Sequence, residues 1–203
     1  MKASDYIVDF LIKKGIDTAF VFTGGAIAHI IDSVAKRDTE IKYICVHNEQ
    51  VAAMAAEAYS RTGKANGVAL VTSGPGATNL ITGIVGAWYD CIPAIYITGQ
   101  VRTWEMTTGK STLQDGFQEV DICSQVKNVT KYAKTIIKKS EIPLELEKAY
   151  SLANTGRKGP VLIDIPMDMQ WAELLPDEIN SASDFLFEDQ KYEITEEINK
   201  FFE

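Results

Sequence analysis

The 203-residue sequence is short of cysteine, histidine and clustered positive charge, and each shortage closes off a class of function. Its three cysteines, Cys45, Cys91 and Cys123, are scattered and odd in number, with no Cys-x-x-Cys pair. That excludes a disulfide framework and favours a reducing cytoplasm. Cys45 lies in the apolar run from Tyr43 to Val46, where a buried structural thiol is expected. With His29 and His47 the only histidines, no His/Cys/Asp cluster has metal-ligand spacing, so no metal site is expected within this chain. No basic run exceeds Lys138-Lys139 and the formal net charge is -8, so the footprint of a nucleic-acid binder is missing. Long apolar runs are also missing. None reaches the roughly 18 residues of a membrane span. The first five residues are polar and lead into an amphipathic pattern, which is not a signal peptide. No Gly-x-Ser-x-Gly elbow occurs.

What is present is a buried core and a regular alternation. Hydrophobic residues make up 46% of the chain, enough for one domain with a sizeable interior. Tyr6, Ile7, Phe10 and Leu11 recur at helical spacing over residues 3–14. Strands are expected at 18–22, 41–46, 67–72, 93–98, about 128–134 and 159–166. Helices are expected at 26–35, 51–61, about 77–88 and about 143–154, with a polar loop over 101–116. The strands are continuous apolar runs, the mark of a parallel sheet buried on both faces. The expected fold is therefore a doubly wound α/β domain over residues 1–175, with its ligand outside the carboxyl ends of the strands. From Pro176 the chain turns acidic, through Asp177, Glu178, Asp184, Glu188 and Asp189. Residues 176–203 read as a linker followed by the start of a helix belonging to a second domain.

The strand ends carry the chemistry. They read Thr23-Gly24-Gly25, His47-Asn48-Glu49, Thr72-Ser73-Gly74-Pro75-Gly76 and Thr98-Gly99-Gln100. Glycine there lets a backbone turn sharply or approach a ligand closely, and several on one edge argue for a site. The Ser73-to-Asn79 stretch is close to a dinucleotide fingerprint. However, Asn79 stands in place of the third glycine, and the next strand ends in Thr98-Gly99-Gln100 rather than an acid. Taken alone, the motif fits a tight turn into a packed helix equally well. Glu49 opens a helix of small and apolar residues that is expected to be buried on all faces. A carboxylate there is costly unless paired or used, and is placed to share a proton with a ligand nitrogen. The plainer reading is an acid favouring a helix N-terminus, and the residues alone weigh the two equally. Glu57 is expected to pair with Arg61 at i,i+4. His47 and His29 read as packing residues.

The order and spacing of His47-Asn48-Glu49-Gln50, Ala58-Tyr59-Ser60-Arg61, Thr72-to-Asn79, Ile97-to-Gln100, Gly116-Phe117-Gln118-Glu119 and Gly159-to-Pro166 resembles the N-terminal, aminopyrimidine-binding (PYR) domain of acetolactate synthase and its relatives. The resemblance covers about residues 1–171. It implies that Glu49 hydrogen-bonds N1′ of thiamine diphosphate. That contact favours the tautomer that removes the thiazolium C2 proton, and the cofactor then serves as electron sink in decarboxylating a 2-keto acid such as pyruvate. It implies that Ser73, Gly74, Pro75, Gly76 and Asn79 pack against the pyrimidine. It places Gly24, Gly25 and Gln118 on the substrate side, and Lys131 near flavin and substrate. It further implies a homodimer or tetramer. In it, a separate C-terminal domain of a second subunit holds the diphosphate and Mg²⁺, so this chain alone is expected to be inactive. Val51 and Asn48 depart from the family's usual His-Glu-Gln-Gly-Ala run, and Lys127 stands where a flavin-contacting arginine is usual. FAD use and the particular acceptor stay open. So do three alternatives: a natural PYR subunit of a split enzyme, a non-catalytic scaffold, and a nucleotide-binding domain.

Overall fold

The computed structural model describes residues 1–180. Its centre is a six-stranded sheet, every pair parallel, in the order β2-β1-β3-β4-β6-β5. The strands are β1 Thr18–Phe22, β2 Lys42–Cys45, β3 Val68–Val71, β4 Ile95–Gln100, β5 Tyr132–Thr135 and β6 Val161–Pro166. β1, β3, β4 and β6 are the four inner strands, and almost every residue in them is buried. This is why their sequences run apolar without alternation. Side chains at alternate positions supply two cores. Ala19, Val21, Leu70, Ile97 and Ile163 meet α1 (Ala3–Lys13), α2 (Ala28–Ala35) and α7 (Ile142–Asn154) on one face. Phe20, Ala69, Val71, Tyr96 and Leu162 meet α3 (Glu49–Arg61), α5 (Ile81–Tyr89) and α6 (Ile122–Val126) on the other. Burying an aliphatic side chain of this size stabilises by about 1.5–3 kcal/mol.

The chain winds outward from β1 to β2 over one face, then returns over the other through α3 to β3 on the far side of β1. The connections thus diverge between β1 and β3, the place where sheets of this kind bind their ligands.

Several expectations need correction. β2 is an edge strand with all four residues exposed, so Cys45 is an exposed thiol rather than a buried one. An edge strand has a neighbour on one side only, and an apolar run there does not guarantee cover. α3 buries Ala52, Ala53, Ala56 and Ser60 but leaves Val51 and Met54 exposed, so it is covered on one face and not all round. The helix expected from 77 begins two residues earlier, as α4 (Pro75–Asn79), because Gly74 at φ 60° turns the chain and Pro75 suits a first helical position. The loop after β4 contains a 3-10 turn at Thr103–Glu105. The short helices α6, α8 (Met167–Trp171) and α9 (Pro176–Asn180) had no periodic signal. The segment after α8 returns to the N-terminus, where Leu174 and Met1 exchange hydrogen bonds through Leu174 N to Met1 O (2.8 Å) and Met1 N to Leu174 O (3.0 Å). Most of the expected start of a second domain, from residue 181 on, lies outside the described residues.

Candidate functional site

The chain just past the carboxyl ends of β1 and β3 is held unusually close. Thr72, just past β3, is its keystone. A side chain on Gly24 would collide with Thr72, and Thr72 Oγ1 accepts a hydrogen bond from Ala26 N at 3.3 Å. Across β3, a Cβ on Gly76 would lie 2.7 Å from Thr72 Cγ2 and 3.3 Å from Glu49 Oε1. Gly74 would meet the carbonyl oxygen of Gln118. Gly99 at the end of β4 lies against the Ala26 carbonyl. The glycines at three strand ends are thus needed for close approach, and the approaches converge on one edge.

Glu49 is the charged member. It opens α3 behind the N-cap Asn48, whose side-chain oxygen accepts from Gln50 N at 2.7 Å. Glu49 is 8% exposed, and its Oε2 accepts a hydrogen bond from Asn79 Nδ2 at 2.8 Å. No cation pairs with it among the described residues. Oε1 lies close to the Gly76 backbone, where no side chain intervenes. A buried carboxylate with one oxygen anchored by an amide and no cation beside it suits a ligand carrying a protonatable nitrogen.

A second polar cluster lies along the same edge. Asp164, in β6, is fully buried and sits in register between Thr98 of β4 and Thr135 of β5. Thr98 Oγ1 donates to it at 2.6 Å, Gln100 Nε2 at 3.1 Å and Thr135 Oγ1 at 3.1 Å. Burial pushes its carboxyl up to about 7, against the pull of those hydrogen bonds. Burial likewise raises the neighbouring Cys123 thiol to about 12, so that thiol is unreactive at neutral pH.

The structure brings Glu49, Ser73, Gly74, Pro75, Gly76, Asn79, Gly24, Gly25 and Gln118 to this edge. Gln118 has φ 57°, and its segment backs the Gly74 turn. Lys131 is set apart. It precedes β5, its N–H bonds Pro160 at the start of β6, and its Nζ donates to Thr155 O at 2.5 Å at the opposite edge of the sheet. Burial lowers its pKa. His47 is exposed after β2, and His29 packs edge-on to Trp171. Glu57 pairs with Arg61, as the spacing predicts, and Asp90 joins them. Sequence reasoning passed over Thr72 and Asp164. Thr72 ends an apolar run just before the glycines, and Asp164 is the lone acid inside another; either position could have flagged its residue. Among the described residues no group of acids, histidines and cysteines forms a metal site, and no helix is long and apolar enough to cross a membrane.

A doubly wound domain with a buried carboxylate and close-packed glycines at its switch point defines a small-molecule-binding α/β domain. The comparisons with known proteins make this specific. Residues 1–125 match the family described as thiamine pyrophosphate enzyme, N-terminal TPP binding domain, and the chain belongs to that family. The chain is 37% identical over 175 residues to the chloroplastic acetolactate synthase of Arabidopsis thaliana, covering 86% of this chain and 25% of that protein. It is 40% identical over 172 residues to the large subunit of acetolactate synthase isozyme 2 of Escherichia coli, covering 85% of this chain and 30% of that one. It is 40% identical over 174 residues to a probable acetolactate synthase large subunit of Methanocaldococcus jannaschii, at 86% and 28%. The chain therefore spans between a quarter and a third of the length of these relatives, and thiamine diphosphate is the cofactor of its family.

Proposed function

We propose that this chain supplies the aminopyrimidine-binding half of the active site in a larger enzyme. That enzyme decarboxylates a 2-keto acid such as pyruvate and transfers the remaining acyl unit. The observation that carries this reading is Glu49, a buried carboxylate with Oε2 held by Asn79 and Oε1 close to Gly76. In this role Glu49 accepts or shares the proton at N1′ of the pyrimidine. Asn79 fixes the carboxylate's orientation. Gly74 and Gly76 let the Gln118 segment and Thr72 pack tightly behind the turn, and Pro75 gives the ring an exposed apolar ledge. Gly24 packs on Thr72, and Gly25 faces open space on the β1 side, toward substrate. When bound, thiamine diphosphate supplies the nucleophilic carbon and the electron sink for decarboxylation. The diphosphate and its Mg²⁺ belong to a second domain, contributed by another subunit of a homodimer or tetramer. The three unpaired cysteines suit a reducing compartment such as the cytoplasm.

The test uses the full-length protein that carries this chain. Pyruvate consumption is measured with and without thiamine diphosphate and Mg²⁺, for wild type and Glu49→Gln. The amide keeps a group able to accept from Asn79 but cannot hold the N1′ proton, so kcat/KM is expected to fall by about 100-fold or more. Cofactor-dependent turnover that survives the substitution unchanged removes Glu49 from the mechanism.

A further inference from the structure

Beside the cofactor edge, the same carboxyl end of the sheet holds a cavity of about 430 Å³ that the reading above does not use. Its size falls within the range of small-molecule sites. Gln100 and Thr135 at the ends of β4 and β5 line its base, and Met106, Thr107, Glu119 and Asp121 help form its walls. These walls are built rather than draped. Glu119 Oε1 accepts from Thr107 N at 2.6 Å and Thr107 Oγ1 at 2.8 Å, and its Oε2 accepts from Asp115 N at 3.3 Å. Asp168 Oδ1 takes Thr103 N at 3.0 Å and its Oδ2 takes Thr103 Oγ1 at 2.6 Å, pinning the start of the loop. Gln100 Nε2 donates to Val120 O at 2.7 Å as well as to Asp164. The segment between the two sites is short, because Gln118 backs the Gly74 turn and the next residue, Glu119, lines the cavity.

The lining is rich in hydroxyl and carbonyl groups, and among the described residues it contains no lysine, arginine or histidine. An anion entering it meets the carboxylates of Glu119 and Asp121, and none of the described lining residues carries a positive charge. A neutral molecule carrying several hydroxyls finds acceptors for its protons on those carboxylates, which keep spare lone pairs, and on the oxygens of Thr107 and Thr135, whose own protons go to Glu119 and Asp164. We propose that this cavity is a subsite for an uncharged, polyhydroxylated co-substrate of the aldose type, and that it disfavours a second 2-keto acid. The word co-substrate rests on the proposed decarboxylase reading; the binding chemistry does not.

The experiment is saturation-transfer NMR on the full-length protein without added cofactor, with D-ribose as probe and 2-oxobutyrate as competitor. Wild type is expected to transfer saturation to ribose, with no displacement by 2-oxobutyrate. Met106→Trp, which fills the cavity, is expected to weaken ribose binding at least ten-fold. Thr108→Lys, which brings an ammonium group to an exposed wall position, is expected to let 2-oxobutyrate compete. Absent ribose binding, unaltered binding in Met106→Trp, or displacement by 2-oxobutyrate in wild type would each overturn the proposal. Pyruvate turnover measured in parallel keeps the two ideas apart. Ribose binding without cofactor-dependent turnover sinks the decarboxylase reading alone, and turnover without ribose binding sinks the subsite alone.

Discussion

Gly74 and Gly25 show how differently two glycines on one edge are constrained. Gly74 has φ 60°, and a side chain on it would run into the Gln118 carbonyl. Holding a non-glycine residue in that region costs about 1–3 kcal/mol before any collision is counted. Gly25 has nothing within 4 Å of where a Cβ would sit. Gly74→Ala is therefore expected to lower the denaturant midpoint and displace the 116–119 segment, whereas Gly25→Ala stays within about 0.5 kcal/mol of wild type. Equal unfolding midpoints for the two variants would show that the Gly74 turn is not under the constraint described. Both glycines were visible in the sequence as strand-end residues. Which of them faced backbone and which faced open space depended on Gln118, 44 positions away from Gly74, and no local pattern reports that.

At the scale of elements, Asp164 ties the ends of β4, β5 and β6 together through Thr98, Gln100 and Thr135. Its carboxyl sits at about 7 in the folded protein, against about 3.9 for an unperturbed aspartate. Between those values the folded state keeps a proton that the unfolded state has released, so stability falls as pH rises from about 4 to about 7 and levels off above. Asp164→Asn removes this term. Urea midpoints measured from pH 4.5 to 8 are expected to fall more steeply for wild type than for the variant over the lower part of that range, and parallel profiles would refute the assignment. The inner strands were legible because burial on both faces leaves a continuous apolar run, as at Val68–Val71 and Val161–Pro166. The edges were not. β2 carries the same kind of run, Tyr43 to Cys45, yet is exposed, and sequence alone does not say which strand lacks a neighbour. Likewise Glu49 was legible as a strand-end acid, but its anchoring by Asn79 joins two helices and appears only in the fold. Lys131 was matched by sequence position to the substrate side, and the direction of β5 places it at the opposite edge.

For the whole molecule, the exposed side of α3 and the β2 edge raise the question of what covers them. Ile44 pairs in register with Phe20, which puts it on the α3 face of the sheet. Ile44, Val51 and Met54 are each close to half exposed there, and among the described residues β2 has no strand partner on one side of its backbone. Apolar side chains beside an open strand edge favour association over solvation. The proposed mechanism asks for the same thing, because it has another subunit supply the diphosphate half of the cofactor site. The full-length protein is accordingly expected to sediment as a dimer or larger species at micromolar concentration. Met54→Glu places a charge in the middle of this face without touching the buried Ala52, Ala53 and Ala56, so the domain keeps its fold. The variant is expected to shift toward monomer and to lose cofactor-dependent turnover in step, since each site would need residues from two subunits. A monomeric wild type would remove the association. A variant that dissociates but keeps full turnover would show that one subunit carries a complete site, and would place the pyrimidine and diphosphate halves within a single chain.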